Sequence, residues 1–270
     1  MRINTNTAAM NTYSRLTQAN GARGNSMAKL SSGLRINRAG DDAAGLSISE
    51  KMKNQISGMK QATRNAQDGI SLIQTAEGAL NETHSILNRM RDLSVQAASG
   101  TLGSEDRTAI TAELTALTEE IDNIATTTKF NGTSLLNAAG TLEIQIGANS
   151  GEALNIATAD MQSSALFGPT AIDISTVAGA NTAIDTIQTA IESVSAHRST
   201  LGATQNRLEH TINNLTTTRE NLSEANSRIR DVDMAEEMME FTKNNILSQA
   251  STAMLAQANQ MPQGVLQLLG

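Results

Sequence analysis

The sequence contains no cysteine and no tryptophan, and one tyrosine and three phenylalanines are its only aromatic residues. Without cysteine, the chain has no disulfide, no thiolate metal ligand and no cysteine nucleophile. Aromatic side chains supply much of the buried area in ordinary globular cores, so their scarcity argues against a compact globule. Only Pro169 and Pro262 are proline, which leaves long stretches where helices can run without interruption.

The chain also lacks the short motifs that mark common catalytic and ligand-binding sites. None of GxxxxGK[ST], GxGxxG, GxSxG or HExxH occurs. The histidines, His84, His197 and His210, are scattered along the sequence rather than grouped as metal ligands. These absences predict a protein that is not an enzyme and that holds no metal or cofactor.

No run of 18 apolar residues occurs, so the sequence predicts no membrane insertion. The first residues, MRINTNTAAMN, lack the apolar segment of a cleaved secretory signal. If the protein leaves the cell, we expect a route that does not read such a signal.

The formal charge of −7 is unevenly distributed. Residues 1–40 carry six Lys or Arg and no acid, whereas residues 231–270 carry five acids and one lysine. A transit peptide or a nucleic-acid-binding arm would also be basic. The charges are spread out, however, and little aromatic residue is interleaved for base stacking. We therefore expect the two ends to pair with each other and expect no nucleic acid as a partner.

Apolar residues recur at alternating steps of four and three between Met52 and Leu87, which is the pattern of a coiled-coil helix. A second helix is predicted from Ser104, and the heptad pattern returns between residues 187 and 229. Between Thr141 and Thr158 the period changes to two, which predicts a β-hairpin. The small, polar residues 160–180 predict a turn-rich surface region.

These patterns predict a mainly α fold: a long antiparallel helical coiled-coil rod with a small β-hairpin region, plus paired N- and C-terminal helical arms. The predicted domains are an inner one of the arms, residues 1–34 and 234–270, and an outer one, residues 46–226. The hairpin region spans about residues 130–180. Segments 35–45 and 227–233 form a connecting joint between the two domains.

The joint combines helix breakers with residues that start a helix. Its predicted elements are Gly33, Gly40, Asp41, Asp42 and Gly45. Glycine is unfavourable within a helix, while short acidic side chains cap the free N–H groups at a helix start and suit its positive end. An ordinary helix–loop–helix corner would have the same local chemistry.

The arms themselves are expected to fold conditionally. The N-terminal arm has a thin apolar stripe with glycine, asparagine and serine throughout. Two helices alone cannot bury every apolar face of the C-terminal arm, and ordering that arm is costly. We expect the arms to be disordered in the isolated subunit and to fold when neighbouring copies supply surface. A tail folded back on its own rod is the alternative.

Several longer motifs resemble bacterial flagellin. They are MRINTNTAAMN, LSSGLRINRAGDDAAGLSISEKM, DGISLIQTAEGALNETHSIL, TKFNG, LGATQNRLEHTINNL, SRIRDVDMAEEM and ILSQASTAMLAQANQMPQGVLQLLG. They cover both ends and most of the chain. No large insertion separates the two halves, so the sequence resembles a minimal flagellin with the two core domains only.

The resemblance implies a self-assembling subunit, secreted and located in the bacterial flagellar filament. It implies unfolded export through the flagellar type III export apparatus, capture of the C-terminal arm by an export chaperone, and contact with hook-associated and cap proteins. The implied inner-core polymerisation contacts are Leu255, Val265, Leu266, Leu268 and Leu269. Many relatives end in arginine, whereas this chain ends in Gly270.

A second implied site resembles the patch that Toll-like receptor 5 recognises on flagellins, with Arg89, Leu93 and Glu113 in matching positions. In the family this patch also packs filament subunits. Two alternatives to a filament subunit remain at this stage: a hook–filament junction protein of the same superfamily, and a soluble coiled-coil binding module.

Deletion of residues 256–270 distinguishes a polymer from a soluble module. We predict that the truncated chain keeps its helical rod but cannot polymerise, because the arm supplies the contacts between subunits. Circular dichroism and electron microscopy after seeding measure the two properties. Filaments that still grow from the truncated chain would contradict the prediction.

Overall fold

The computed structural model describes residues 5–168 and 172–269, with side chains described as far as Met261. The fold of these residues is mainly α, as the sequence predicts. The helices are α1 (Thr7–Ser32), α2 (Ala43–Ala97), α3 (Ser104–Thr127), α4 (Ser163–Leu166), α5 (Val177–Arg230) and α6 (Met234–Leu269). The strands β1 (Lys129–Phe130) and β2 (Thr133–Ser134) form one antiparallel pair, and β3 (Gly140–Gln145) and β4 (Ala153–Thr158) form another.

The chain forms two compact units. The terminal unit consists of Met1–Gln55 and Glu220–Gly270, and the central unit consists of Ile56–Arg219. The terminal unit therefore includes the first turns of α2 and the last turns of α5 as well as the two arms. The finer division into arms, joint and outer domain stays a prediction.

In the terminal unit, α1 and α6 lie side by side in opposite directions. Asn6 Nδ2 donates to the Ala258 carbonyl oxygen (2.7 Å) near the start of α1. Farther along α1, Lys29 forms an ion pair of 3.6 Å with Glu237, near the start of α6. As the residue number rises in one helix it falls in the other, so the pair is antiparallel.

In the central unit, α2 and α5 are also antiparallel. Arg198 Nη2 lies 3.7 Å from Glu77 Oε1, while Leu208 lies next to Gly69, earlier in α2 and later in α5. Several heptad positions predicted from the sequence lie in the seam and are no more than 2% exposed: Ile73, Leu80, Leu87, Ile187, Val194, Leu201 and Leu208. Other predicted positions, such as Ile56, Ile70 and Ile191, are half-buried. Small residues that sequence reasoning did not place in the core are buried beside them: Ala183, Ala190 and Thr204.

Helix α3 packs on the same core through Ile110, Leu114 and Ile121. Its start is tied to the end of α2, because Arg107 Nε donates to the Ala97 carbonyl oxygen (3.2 Å). The three-helix core therefore needs few aromatic residues, since leucine, isoleucine and alanine fill the space between parallel cylinders.

The β3–β4 hairpin packs against α2 at two glycines of that helix, Gly58 and Gly69. A Cβ added to Gly58 would lie 2.8 Å from Ala148 Cβ and 3.1 Å from Ala148 Cα, at the hairpin loop. One added to Gly69 would lie 2.6 Å from Ile144 Cδ1. Between these glycines, Asn65 Nδ2 donates to the Gln145 carbonyl oxygen (3.0 Å). Both glycines thus permit close approach of the hairpin, in agreement with the hairpin predicted from the two-residue period.

Two features differ from the sequence prediction. The break at Lys129–Gly132 is itself a small hairpin, whose turn residues Asn131 and Gly132 both have positive φ (48° and 82°). That combination is typical of a type I′ turn. Residues 160–180 are not all surface, because Met161, Phe167 and Ile174 are buried. Met161, Phe167 and Ile174 stand singly among short polar residues, so they produce no periodic pattern in the sequence.

Exchange of glycine for alanine at two positions of α2 tests the close approach of the hairpin. Alanine favours a helix interior over glycine by about 1 kcal/mol, and Gly78 has open space around it. We therefore predict that Gly78→Ala stabilises the protein by roughly 0.5–1 kcal/mol.

Gly58→Ala is predicted to lose this gain, because the Ala148 backbone must shift to admit the new methyl group. Urea unfolding of both variants measures the difference. Equal stabilisation by the two substitutions would contradict the proposed role of Gly58.

Candidate assembly surface

The contact between α1 and α6 is built from small or polar side chains. As far as Met261, the residues of these two helices that are no more than 8% exposed are Ala19, Ser26, Asn244, Ser248, Ser251 and Ala258. Ser248 Oγ donates to Asn20 Oδ1 across the pair (2.9 Å). Small side chains bring two helices close together, but they remove little apolar area from water. The contact is therefore well fitted yet contributes little hydrophobic stabilisation.

Five large apolar side chains of α6 lie on a different face of the helix from these buried residues. At about 100° per residue, the members of this face lie within roughly 100° of one another. We call the set the α6 stripe: Met239, Ile246, Leu247, Met254 and Met261. Each member is between 47% and 67% exposed. The usual burial pattern of an amphipathic helix is thus inverted along the stripe. Phe241 and Leu255, on the face toward α1, are half-buried.

Further apolar side chains of the pair are exposed outside the stripe. They are Met10, Tyr13 and Met27 of α1, and Met234 and Met238 of α6, all at least 49% exposed. Large contiguous apolar areas are uncommon on soluble monomers and mark interaction sites. The α1–α6 pair therefore presents a surface suited to bind another apolar surface.

A groove of about 610 Å³ runs between the two helices. Leu247 and Met254 of the α6 stripe line it, together with Arg15, Ala19 and Ser251. A side chain of a partner can enter such a groove as a knob enters a hole in helix packing. The surface thus has shape as well as apolar character.

The residues predicted as inner-core contacts lie at the end of α6. Leu255 is half-buried, and its helical position is on the side of Ser248 and Ser251 rather than in the α6 stripe. Val265, Leu266, Leu268 and Leu269 lie outside the residues whose side chains the structure describes. Sequence reasoning named apolar residues near the end of α6 but neither the stripe nor the division between the two faces of the helix. The small residues at 244, 248, 251 and 258 are the signal that would have shown it.

At the joint, two segments of the terminal unit meet through their backbones. Leu34 and Asp231 form an antiparallel bridge. On one side of it, Arg35 N donates to the Arg230 carbonyl oxygen (2.7 Å), and on the other side Val232 N donates to the Gly33 carbonyl oxygen (3.0 Å). Sequence reasoning paired the two segments but did not predict a backbone bridge, because a single bridge has no periodic signal.

Two arginine side chains add hydrogen bonds next to this bridge. The Arg35 guanidinium donates to the Ile229 carbonyl oxygen (2.6 Å). The Arg230 guanidinium donates to Glu50 of α2 (2.7 Å). One residue earlier in α2, Ser49 is fully buried and donates to Asn226 Oδ1 (2.7 Å). Polar pairs of this kind fix the register between helices.

The two aspartates of the joint have separate tasks. Asp42 caps α2, since its carboxylate accepts a hydrogen bond from Gly45 N (2.8 Å). Asp41 accepts hydrogen bonds from Arg38 N (2.9 Å) and Asn37 N (3.0 Å). These bonds, the one from Arg38 first, hold the pKa of the exposed Asp41 carboxyl below its usual value. The turn therefore keeps this support until the carboxyl is protonated in acid.

The glycines of the joint are not equivalent. Gly33 ends α1 in the left-handed region (φ 70°), where a side chain is strained. At Gly45 a Cβ would collide with the Asp42 carboxylate and lie 2.8 Å from Cδ1 of the buried Ile36. Gly40 has open space around it and no positive φ, so nothing in the structure requires glycine there.

The residues that match the receptor patch separate into two groups. Arg89 Nε and Nη2 both donate to Glu113 Oε1 (3.0 and 2.8 Å), and both side chains are exposed. Leu93 is only 2% exposed and belongs to the core of the central unit. The structure thus offers Arg89 and Glu113 to a partner from solution, whereas Leu93 supports the helices beneath them.

Among the described residues, no cluster of His, Cys, Asp or Glu is arranged to hold a metal ion. None of the described helices is long and apolar enough to cross a membrane. Of the three histidines, His197 is half-buried, and burial lowers its pKa because the charged form loses hydration. That effect is typical of a packed histidine and does not indicate catalysis.

Comparison with known proteins gives matches at both ends of the chain. Residues 3–141 match the bacterial flagellin N-terminal helical region, and residues 184–269 match the bacterial flagellin C-terminal helical region. The chain is 56% identical to a flagellin of Halalkalibacterium halodurans and 53% identical to one of Bacillus subtilis. Both matches cover 100% of each chain.

A solved structure shows the same relationship. The crystal structure of Bacillus cereus flagellin matches with a TM-score of 0.52 and 37% identity, over 60% of this chain and 94% of that one. Family models that span most of the sequence and full-length relatives of high identity lead to one conclusion. The chain belongs to the bacterial flagellin family, the structural and non-enzymatic subunits of the bacterial flagellar filament.

Proposed function

We propose that this flagellin polymerises through the α6 stripe, and that the partner is a second copy of the chain. The observation that carries the proposal is the inverted burial of α6. Its small residues Ser248, Ser251 and Ala258 are buried against α1, while the five large apolar residues of the stripe are exposed. Covering those side chains supplies the hydrophobic free energy that the α1–α6 pair itself lacks. The full-length relatives named flagellin favour this function over a hook–filament junction protein.

The joint positions this surface. The bridge between residues 33–35 and 230–232 holds the end of α1 and the start of α6 at one place. Since both helices leave the same bridge, a partner that orders one of them also favours the other. We propose that the joint, residues 35–45 and 227–233, lets the two arms dock as one element, and that Leu255, Val265, Leu266, Leu268 and Leu269 contribute contacts within the inner core.

The same surface suits the partners implied before assembly. We propose that the chain leaves the cell through the flagellar type III export apparatus and that an export chaperone covers the exposed apolar side chains of α6. Hook-associated and cap proteins would meet the arms at the ends of a filament. An exposed apolar surface can cause aggregation before assembly. This favours a chaperone that covers the surface until the subunit reaches the filament.

A second proposed contact is the exposed pair Arg89–Glu113, as a patch for Toll-like receptor 5. The guanidinium and the carboxylate are held together at 2.8 Å on the surface of the central unit. Exposed ion pairs contribute little to stability, so the pair is available to a partner without being needed for the fold.

A charge placed in the α6 stripe tests the proposed polymerisation. Leu247→Glu puts a carboxylate into the surface that we expect to be covered, where desolvation of the charge is costly. We predict loss of filament growth on seeds, measured by sedimentation and electron microscopy. Gln249→Glu is the matched control, because it adds the same charge to an exposed position of α6 outside the stripe.

The control variant should polymerise like the parent chain. Equal growth of the Leu247→Glu chain would show that the stripe is not a contact surface. Circular dichroism of both monomers verifies that the central helices are intact.

Substitutions in the receptor patch separate recognition from folding. Arg89→Ala and Glu113→Ala should each lower activation of cells that carry the receptor, while the free energy of unfolding changes by less than about 1 kcal/mol. Leu93→Ala should instead cost about 2–5 kcal/mol, because it empties a buried site. Receptor assays and urea unfolding give the two quantities. Unchanged activation by both exposed-site variants would refute this contact.

A further inference from the structure

Methionine is distributed unevenly over the chain. Of the methionines that the structure describes, seven are between 49% and 67% exposed, and all lie in α1 or α6: Met10, Met27, Met234, Met238, Met239, Met254 and Met261. In the central unit, Met90 and Met161 are 0% and 4% exposed, and Met59 is half-buried. The most exposed thioethers are thus concentrated on the α1–α6 pair, and three of them belong to the α6 stripe.

An exposed thioether is chemically reactive toward peroxides. The sulfur lone pair attacks one oxygen of hydrogen peroxide, an S–O bond forms, the O–O bond breaks, and the second oxygen leaves as water after proton transfer. The sulfur is oxidised by two electrons and the peroxide is reduced by two. The product, methionine sulfoxide, is polar and can be reduced back by methionine sulfoxide reductases.

We propose that the methionines of the α6 stripe are a reversible oxidation site that controls whether a free subunit can assemble. The inference rests on the proposed function of the stripe. Met239, Met254 and Met261 are three of its five members, so oxidation converts most of the stripe from apolar to polar. Burying a sulfoxide oxygen without a hydrogen-bond donor is unfavourable. The buried Met90 and Met161 are unaffected, so the central unit keeps its fold.

Position on α6 distinguishes the methionines that control assembly from those that are merely exposed. Met234 and Met238 are as exposed as the stripe residues but lie on another side of the helix. Their oxidation alone should not prevent growth. Once subunits are assembled, the stripe is covered, and its three thioethers should resist the peroxide.

The test uses the full chain as monomer and hydrogen peroxide as the oxidant. Peptide mapping by mass spectrometry should show that the exposed methionines are oxidised before Met90 and Met161. Treated monomers should lose growth on untreated seeds, and methionine sulfoxide reductases should restore it. In preformed filaments, Met239, Met254 and Met261 should remain largely reduced under the same treatment.

The variant with Met239→Leu, Met254→Leu and Met261→Leu is the control, because leucine conserves volume and apolar character and has no sulfur. It should polymerise both before and after peroxide. If treated parent monomers grow normally while the three sites are oxidised, or if the leucine variant also loses growth after treatment, the inference is wrong. If the untreated leucine variant does not polymerise, the deciding result is whether reductases restore filament growth by the oxidised parent chain. Failure of the untreated parent chain to polymerise would instead refute the proposed function.

Discussion

The pairing of α1 with α6 fixes the properties of the terminal unit, because its most buried side chains are alanine, serine and asparagine while the methionines, Ile246 and Leu247 stay exposed. Hydrophobic stabilisation follows the apolar area removed from water, and this pair removes little. For two helices held by small side chains and a few polar hydrogen bonds, the contacts barely offset the conformational entropy that is lost on ordering them. The exposed apolar face then supplies the missing free energy, but only when another molecule covers it.

The central unit is built on the opposite rule. Its seam buries leucine, isoleucine and valine of α2 and α5, and α3 adds further aliphatic residues to the same core. Close approach of the β3–β4 hairpin at Gly58 and Gly69 completes the packing. A self-sufficient unit and a dependent one thus share two long helices. In the terminal unit the backbone bridge between Leu34 and Asp231, with the buried Ser49–Asn226 hydrogen bond, keeps the dependent helices at a defined starting place.

Periodic features were predictable from the sequence, and single contacts were not. The steps of three and four placed Ile73, Leu80 and Leu87 in the seam, and the change to period two placed the β3–β4 hairpin, because both patterns repeat. The Leu34–Asp231 bridge, the β1–β2 turn and the burial of Phe167 each depend on tertiary packing of one or two residues. At the candidate site, the sequence indicated apolar residues near the end of α6 but not which face of the helix is exposed. The structure shows the exposed face, because the small or polar residues Asn244, Ser248, Ser251 and Ala258 of α6 are the ones buried against α1.

The most direct test of conditional folding is amide hydrogen exchange of the same chain as monomer and as filament. If the α1–α6 pair depends on neighbouring subunits, amides in both helices exchange rapidly in the monomer and become strongly protected in the filament. Amides of α2 and α5 in the central unit are protected in both states and serve as the internal reference. Strong protection of α1 and α6 in the monomer, equal to that of the central helices, would contradict the dependence of the terminal unit on its neighbours.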